Sequence, residues 1–322
     1  MKIETQILGK LWNETFVLPS SLANELGIER TTCLAAIQNL QKIGYDIENH
    51  PQYGWRLCNC EDGLHAFEIE ARLPQNEFSK NLTILPQTTS TNDLALEAGF
   101  QGAPQGTAFV AETQTAGRGR HGRVWESSQP IGLWLTCLFR PPWLATAVQR
   151  LTIISSVAVS QTVEKITGQA CQIKWPNDLL FKEQKLCGIL TETRVDKNQQ
   201  RFAIVGIGLN VNQVPEIFPK NLRAISLRTI MGAEQRRADV LVTLLDTLNS
   251  LYQKPFDEVL ETWRQQCISF GQMARIVDGT QEWTGQMVDV DTSGTLHLRL
   301  SNGHIQPIQS GEIFLLSHAN NY

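Results

Sequence analysis

The chain has 322 residues, 42% hydrophobic and 19% charged, an ordinary globular composition long enough for two or three packed domains. A formal charge of −4 and an isoelectric point near 5.9 exclude a global electrostatic drive toward nucleic acid or anionic membrane and leave only local patches. Its seven cysteines, the missing partner for Cys58-Asn59-Cys60 at zinc-site spacing, and the lack of a signal-like start or a ~20-residue apolar run predict a cytoplasmic protein without a membrane partner.

In chain order, Ile3, Ile7, Leu8 and Leu11 keep helical spacing. Ser20 and Ser21 are placed to cap a short helix through Leu26, and Gly27 makes a turn. A second helix is expected over Thr31–Ile43, with Leu34, Ile37 and Leu40 on one face, then a hairpin from Tyr45 to Leu57 around Pro51–Gly54. Helix, helix-turn-helix and hairpin make a winged helix-turn-helix, expected over residues 1–63.

Residues 64–268 alternate apolar runs with helical stretches. The runs are Thr107–Glu112, Leu133–Phe139, Cys171–Trp175, Lys185–Thr191 and Ala203–Leu209. The helices are Asn92–Glu97, Ala145–Thr167, Arg237–Tyr252 and Phe256–Cys267. A central mixed β-sheet backed by helices is expected, and no dinucleotide or P-loop fingerprint is present. Residues 269–322 hold five short strands broken by Asp278-Gly279, Ser293-Gly294, Asn302-Gly303 and Ser310-Gly311, which predicts a small C-terminal β-barrel and a multidomain α+β chain.

The sharpest feature is Gly117-Arg118-Gly119-Arg120-His121-Gly122-Arg123-Val124-Trp125. Three arginines in six positions offer donors for phosphate, and the glycines let backbone approach a ligand. Such a loop could close over an anion, with Trp125 as an apolar anchor, or be a solvated basic loop. Lys174-Trp175-Pro176-Asn177-Asp178 follows a strand that Pro176 ends. Lys174 there can stabilise charge developing on a phosphoryl oxygen, or be a surface lysine. Asn177 and Asp178 can ligate Mg²⁺ or cap the turn. Gly188, Gly206 and Gly208 sit in apolar strands and leave room for a flat apolar ligand or for close helix packing. Cys187 reads as a core cysteine, since nothing pairs it with a base.

Ser90-Thr91-Asn92, Gln114 with Gly117–Arg123, Lys174–Leu179, Lys185–Leu190 and Gly206–Asn210 together resemble the biotin–protein ligases. With the flanking units, the chain resembles the bifunctional bacterial form, a biotin–[acetyl-CoA-carboxylase] ligase and biotin operon repressor. The resemblance implies a class II synthetase-like core and an SH3-like C-terminal barrel. It also implies that biotin and ATP with Mg²⁺ give biotinyl-5'-AMP, whose biotinyl group passes to one lysine of the biotin carboxyl carrier protein of acetyl-CoA carboxylase. Carried over residue by residue, it gives Ser90, Thr91, Gln114, the Arg118 backbone, Lys174, Gly188, Gly206 and Gly208 to biotin. To ATP and the adenylate it gives Arg118, Arg120, Trp125, Lys174, Asn177 and Asn210, with Lys174 and Arg120 catalytic and Asp178 a metal candidate. The segment Val211–Leu227 would order over adenine. A homodimer is expected when the adenylate is bound.

Operator DNA is an expected partner. Residues 1–60 carry five basic and six acidic side chains, a weak start for phosphate binding, so a module kept for packing is the alternative. Ser21, Arg30, Thr31, Gln38, Lys42 and Arg56 are the candidate DNA contacts, with Gln38 reading bases from the second helix and Arg30, Lys42 and Arg56 touching phosphate. Two other functions compete with the whole: a lipoate or octanoate protein ligase of related fold, and a ligand-sensing repressor without catalysis.

Overall fold

The computed structural model describes residues 2–13, 16–142, 148–220, 222–309 and 311–316. The start of the helix expected from Ala145 and the Ser310 position of the last turn lie outside them.

The N-terminal part packs α1 (Ile3–Asn13), α2 (Pro19–Leu26) and α3 (Arg30–Lys42) against the hairpin of β1 (Tyr45–His50) and β2 (Gly54–Cys60). Its own core gathers Ile7, Leu8, Leu11, Leu22, Ile37, Leu40 and Trp55. Ser20 and Ser21 do not cap α2. Pro19 occupies the first helical turn, Leu18 is the cap residue and no side chain bonds there, because proline is pre-set for a position whose N–H has no helical partner. Gly27, at φ 64°, ends the helix in the left-handed conformation. Leu34 faces outward at 38% exposure, and Cys33 and Ala36 take its place in the core.

After α4 (Ala66–Arg72) and α5 (Glu77–Lys80), the central unit runs β3 (Leu82–Thr88), α6 (Thr91–Phe100), β4 (Ala108–Gln114), β5 (Leu133–Phe139), α7 (Val148–Thr167), β6 (Gln172–Lys174), β7 (Asp178–Phe181), β8 (Gln184–Val195), β9 (Arg201–Leu209), α8 (Leu227–Met231), α9 (Arg237–Tyr252) and α10 (Phe256–Gln266). Seven strands form one sheet in the order β3-β4-β5-β9-β8-β7-β6, parallel only between β3 and β4. Alternation along β5 and β9 sends Leu133, Leu135, Cys137, Val205 and Ile207 to the core face shared with α7 and α9. Leu138, Phe202 and Ile204 go to the other face, under Ala95 of α6. The sheet is covered on both faces, so all of β5 is buried.

The C-terminal strands β10 (Met273–Asp278), β11 (Gln281–Val290), β12 (Leu296–Leu300), β13 (Ile305–Ile308) and β14 (Glu312–Leu315) overturn one expectation. They form an open five-stranded sheet in the order β13-β12-β11-β10-β14, and no SH3-like β-barrel closes among the described residues. Closure needs the two edges to pair in a staggered register. Both edge strands here are only four residues long, and Pro307 removes a ladder donor from one of them. The sheet instead buries Ile276, Met287, Leu296 and Leu298 in the same core as the central unit.

Buried ion pairs join the N-terminal part to the centre. Glu68, 0% exposed, accepts from Tyr45 Oη at 2.6 Å, Arg72 at 3.0 Å and Arg236 at 2.6 Å. Burial, with the Glu68 charge beside it, pushes the Tyr45 phenol far above its usual range. Arg237 bonds Asp62 at 2.7 Å and Glu112 of β4. No helix among the described residues is long and apolar enough to cross a membrane.

Candidate active site

A cavity of about 300 Å³ opens between the middle strands of the large sheet and β14. Its lining brings together Ser90, Thr91, Gln114, Arg118, Arg120, Trp125, Lys174, Asn177, Asp178, Gly188, Gly206 and Gly208. These positions span 119 residues of sequence, and only strand pairing unites them. Gly188 lies opposite Gly208 across the β8–β9 ladder, and Gly206 opposite Thr136 across β5–β9.

The glycines serve close approach. A Cβ on Gly208 would lie 2.5 Å from the Trp125 indole, and one on Gly206 would lie 2.2 Å from Asn92 Oδ1. The room above these strands is thus taken by Trp125 and Asn92. The Trp125 Nε1 donor is buried with no hydrogen-bond partner among the described residues.

One end of the cavity is a neutral hydrogen-bonding network. Ser90 caps α6, its Oγ accepting from Asn92 N at 3.3 Å. Gln114 Oε1 accepts from Thr91 N at 2.8 Å, and Gln114 Nε2 donates to Ser127 Oγ at 3.1 Å. Thr136 Oγ1 stands 2.8 Å from Thr91 Oγ1 and 2.7 Å from Asn92 Oδ1. Such groups can read a polar head on an otherwise apolar ligand.

The other end is cationic. Arg120 donates to Asn177 Oδ1 at 3.3 Å and to the Gly311 carbonyl at 3.1 Å. Burial draws its guanidinium below the usual arginine range, against the pull of Asp178, Asp278 and Glu312. Arg118 pairs with Asp93 and Glu192, and Arg123 with Glu312. Lys174 ends β6 opposite Asp178. Lys185 pairs with Asp178 at 2.7 Å and lies 5.4 Å from the Trp125 ring centre. The loop's tip turns on His121 and Gly122, at φ 55° and 71°. Several fixed cations around one wall suit an anion with more than one charge.

Asn210 stands apart. It is buried and does not line the cavity; its Nδ2 donates to the Ile225 carbonyl at 3.1 Å and the Lys185 carbonyl at 3.3 Å. It therefore fixes the chain beside the cavity. Cys187 is fully buried, and burial pushes its thiol well above the usual range, so it is a poor nucleophile. Among the described residues, no three His, Cys, Asp or Glu side chains gather as a metal cluster. Asp178, the metal candidate, is paired with Lys185, and one carboxylate can ligate Mg²⁺ only with phosphate and water oxygens completing the shell.

Trp134, Lys185, Glu312 and Ile313 also line the cavity without a role expected from the sequence, and Leu222 joins them from the segment expected to order over adenine. The alternation of β5, with Trp134 on the face of Thr136, could have pointed to the first. Nothing local points to Glu312, which arrives from the far end of the chain.

In the N-terminal part, Arg30, Thr31, Gln38 and Lys42 are exposed on α3, as is Ser21 on α2. Arg56 in the hairpin is paired with Glu48 and covers the Phe16 ring at 5.0 Å.

Residues 84–212 match the profile of the biotin/lipoate A/B protein ligase family, and residues 269–316 that of the biotin protein ligase C terminal domain. The bifunctional ligase/repressor BirA of Bacillus subtilis is 34% identical over 318 residues, covering 96% of this chain and 97% of its own. That of Bacillus spizizenii is 34% identical over 308 residues, 93% of this chain and 94% of its own. Among solved structures, the biotin protein ligase from Aquifex aeolicus in complex with biotin and ATP superposes with a TM-score of 0.63 at 32% identity, covering 74% of this chain and 99% of that one. A cavity with a neutral polar end and a cationic end, carried on these matched segments, is that of a ligase: the chain belongs to the biotin–protein ligase family.

Proposed function

We propose that the protein activates biotin with ATP to biotinyl-5'-AMP and transfers the biotinyl group to a lysine of the biotin carboxyl carrier protein of acetyl-CoA carboxylase. The observation that carries this reading is the polarity of this cavity, with neutral readers at Thr91 and Gln114 and cations at Lys174, Arg120 and Lys185. A small, largely apolar acid lying along it puts its polar ring at the first end and its carboxylate at the second. There the carboxylate oxygen attacks the α-phosphorus of ATP and pyrophosphate leaves. The acceptor amine, once deprotonated, then attacks the acyl carbonyl and AMP departs.

In this reading Ser90, Thr91, Gln114, Gly188, Gly206, Gly208 and the Arg118 backbone hold biotin. Lys174 and Arg120 neutralise charge as it develops on the phosphoryl group, and Trp125, Asn177 and Arg118 line the nucleotide side. Asn210 acts from outside the cavity. Mg²⁺, held by Asp178 together with the phosphates, would offset the charge of the triphosphate. Residues 1–63, 64–268 and 269–322 are the DNA-reading, catalytic and C-terminal domains.

A second role, biotin-responsive repression, is supported by the helix-turn-helix with its hairpin and by full-length similarity to proteins named ligase/repressor. Operator DNA is then a partner, read by a homodimer that forms with the adenylate.

The test is ATP–pyrophosphate exchange by the purified protein with Mg²⁺, comparing biotin, lipoate and octanoate. Exchange is expected with biotin alone. Lys174→Ala is expected to slow it about 10²–10³-fold with the fold intact by circular dichroism. Exchange driven by lipoate or octanoate instead would overturn the substrate assignment, and none with any acid would leave a ligand-sensing repressor.

A further inference from the structure

The loop that covers the cavity has little apolar material to hold it. Val124 is 82% exposed, and of its apolar side chains only Trp125 packs inward. What fastens it is charge and hydrogen bonding. Arg118 Nη1 is bonded to Asp93 in the first turn of α6, and its Nη2 donates to Glu192 of β8 at 3.0 Å. Glu192 Oε1 also accepts from Asn92 Nδ2 at 3.3 Å, and its Oε2 pairs with Arg194 at 3.0 Å.

From Glu192 the network continues beneath the cavity. Asn92 Oδ1 meets Thr136 Oγ1, Thr136 meets Thr91 Oγ1, and Thr91 Oγ1 donates to Gln114 Oε1. Gln114 Nε2 bonds Ser127 Oγ, which donates to the Trp125 carbonyl at 3.1 Å. This path leaves the loop at Arg118 and returns, through Ser127, to the carbonyl of Trp125. The two ends of the loop are therefore tied together through residues that line the cavity.

We infer that Asp93 and Glu192, acting through Arg118, are positioning residues that hold the arginine loop shut over the acyl-adenylate. The inference rests on the biotin-ligase reading. Neither carboxylate lines the cavity, so neither has a part in forming the adenylate. Their task is retention: a reactive mixed anhydride is kept from water until the acceptor lysine arrives. Arg120 is the arginine of the loop left to face the phosphoryl group.

The experiment loads the full-length protein with labelled biotin, ATP and Mg²⁺, chases with unlabelled biotin, and follows release of the labelled adenylate beside pyrophosphate exchange. Asp93→Asn is expected to speed release about threefold and Glu192→Gln about tenfold, the second pair being the more buried. Exchange should stay within about threefold of wild type in each, and Asp93→Glu should restore retention. Raising the salt should speed release from wild type and not from the double variant. A double variant that exchanges and retains its adenylate like wild type sinks the clasp alone. So does one that loses exchange, since the carboxylates would then serve the cavity itself. A wild-type protein without biotin-dependent exchange sinks the ligase reading instead.

Discussion

The arginine loop and the α3 helix both face a polyanion in the proposed function, and they are charged in opposite styles. The loop concentrates three arginines in six positions, and its neighbours supply carboxylates that aim two of them: Asp93 and Glu192 for Arg118, Glu312 for Arg123. The helix carries only Arg30 and Lys42 at its two ends, with exposed Gln38 and Asn39 between. A catalytic site must neutralise charge at one point, whereas a DNA reader needs a few spaced contacts that a dimer can double. Local charge density separates the two tasks, and net charge does not.

The largest effect expected from testing this contrast lies at the junction of the two regions. Glu68→Ala removes the buried acceptor of Tyr45, Arg72 and Arg236, leaves the two partly buried arginines only Asp239 to share, and should destabilise the protein by about 2 kcal/mol in urea unfolding. A loss below about 0.5 kcal/mol would mean that the two regions fold independently of this cluster. Next comes the apolar floor. Gly208→Ala drives a methyl into the Trp125 indole and should weaken biotin binding about tenfold by calorimetry. Unchanged affinity would show that the ring moves freely and that the glycine is not there to seat it.

The smallest effect concerns the DNA reader. If a dimer uses Arg30 and Lys42 of each copy on phosphates, operator affinity should fall with salt at a logarithmic slope of about −4. Gln38→Ala should weaken specific binding only about three- to tenfold. A slope steeper than about −8 would reveal cations recruited from outside α3 and break the contrast drawn above.

Legibility followed locality. The apolar run Leu133–Phe139 and the helix Arg237–Tyr252 could be read with the ends they have in the structure, because pattern and burial coincide there. Strand β3 escaped because it is a half-exposed edge strand containing Pro86, with no clean alternation to mark it. Strand β7 is four residues long and was hidden inside a motif. The C-terminal hairpins could be read strand by strand, but their closure could not. Turn chemistry sets which neighbours pair and says nothing of whether the first and last edges meet. Within the cavity, Lys174 and the arginine loop are evident as charged motifs, whereas the seat of Asn210 is not legible, since its side chain bonds the carbonyls of Lys185 and Ile225.

By itself, then, the sequence determined the chemistry that the chain carries: the arginine-glycine loop, the lysine at a strand end, the paired glycines and their order. These are local properties of residue type and spacing. Only the tertiary structure decided how they act together. It placed Gly188 against Gly208, took Asp93 and Glu192 to Arg118, brought Glu312 from the end of the chain to the cavity wall, and left the last sheet open. Each of those is a contact between residues far apart in the chain, fixed by strand register and by what the shared core can bury.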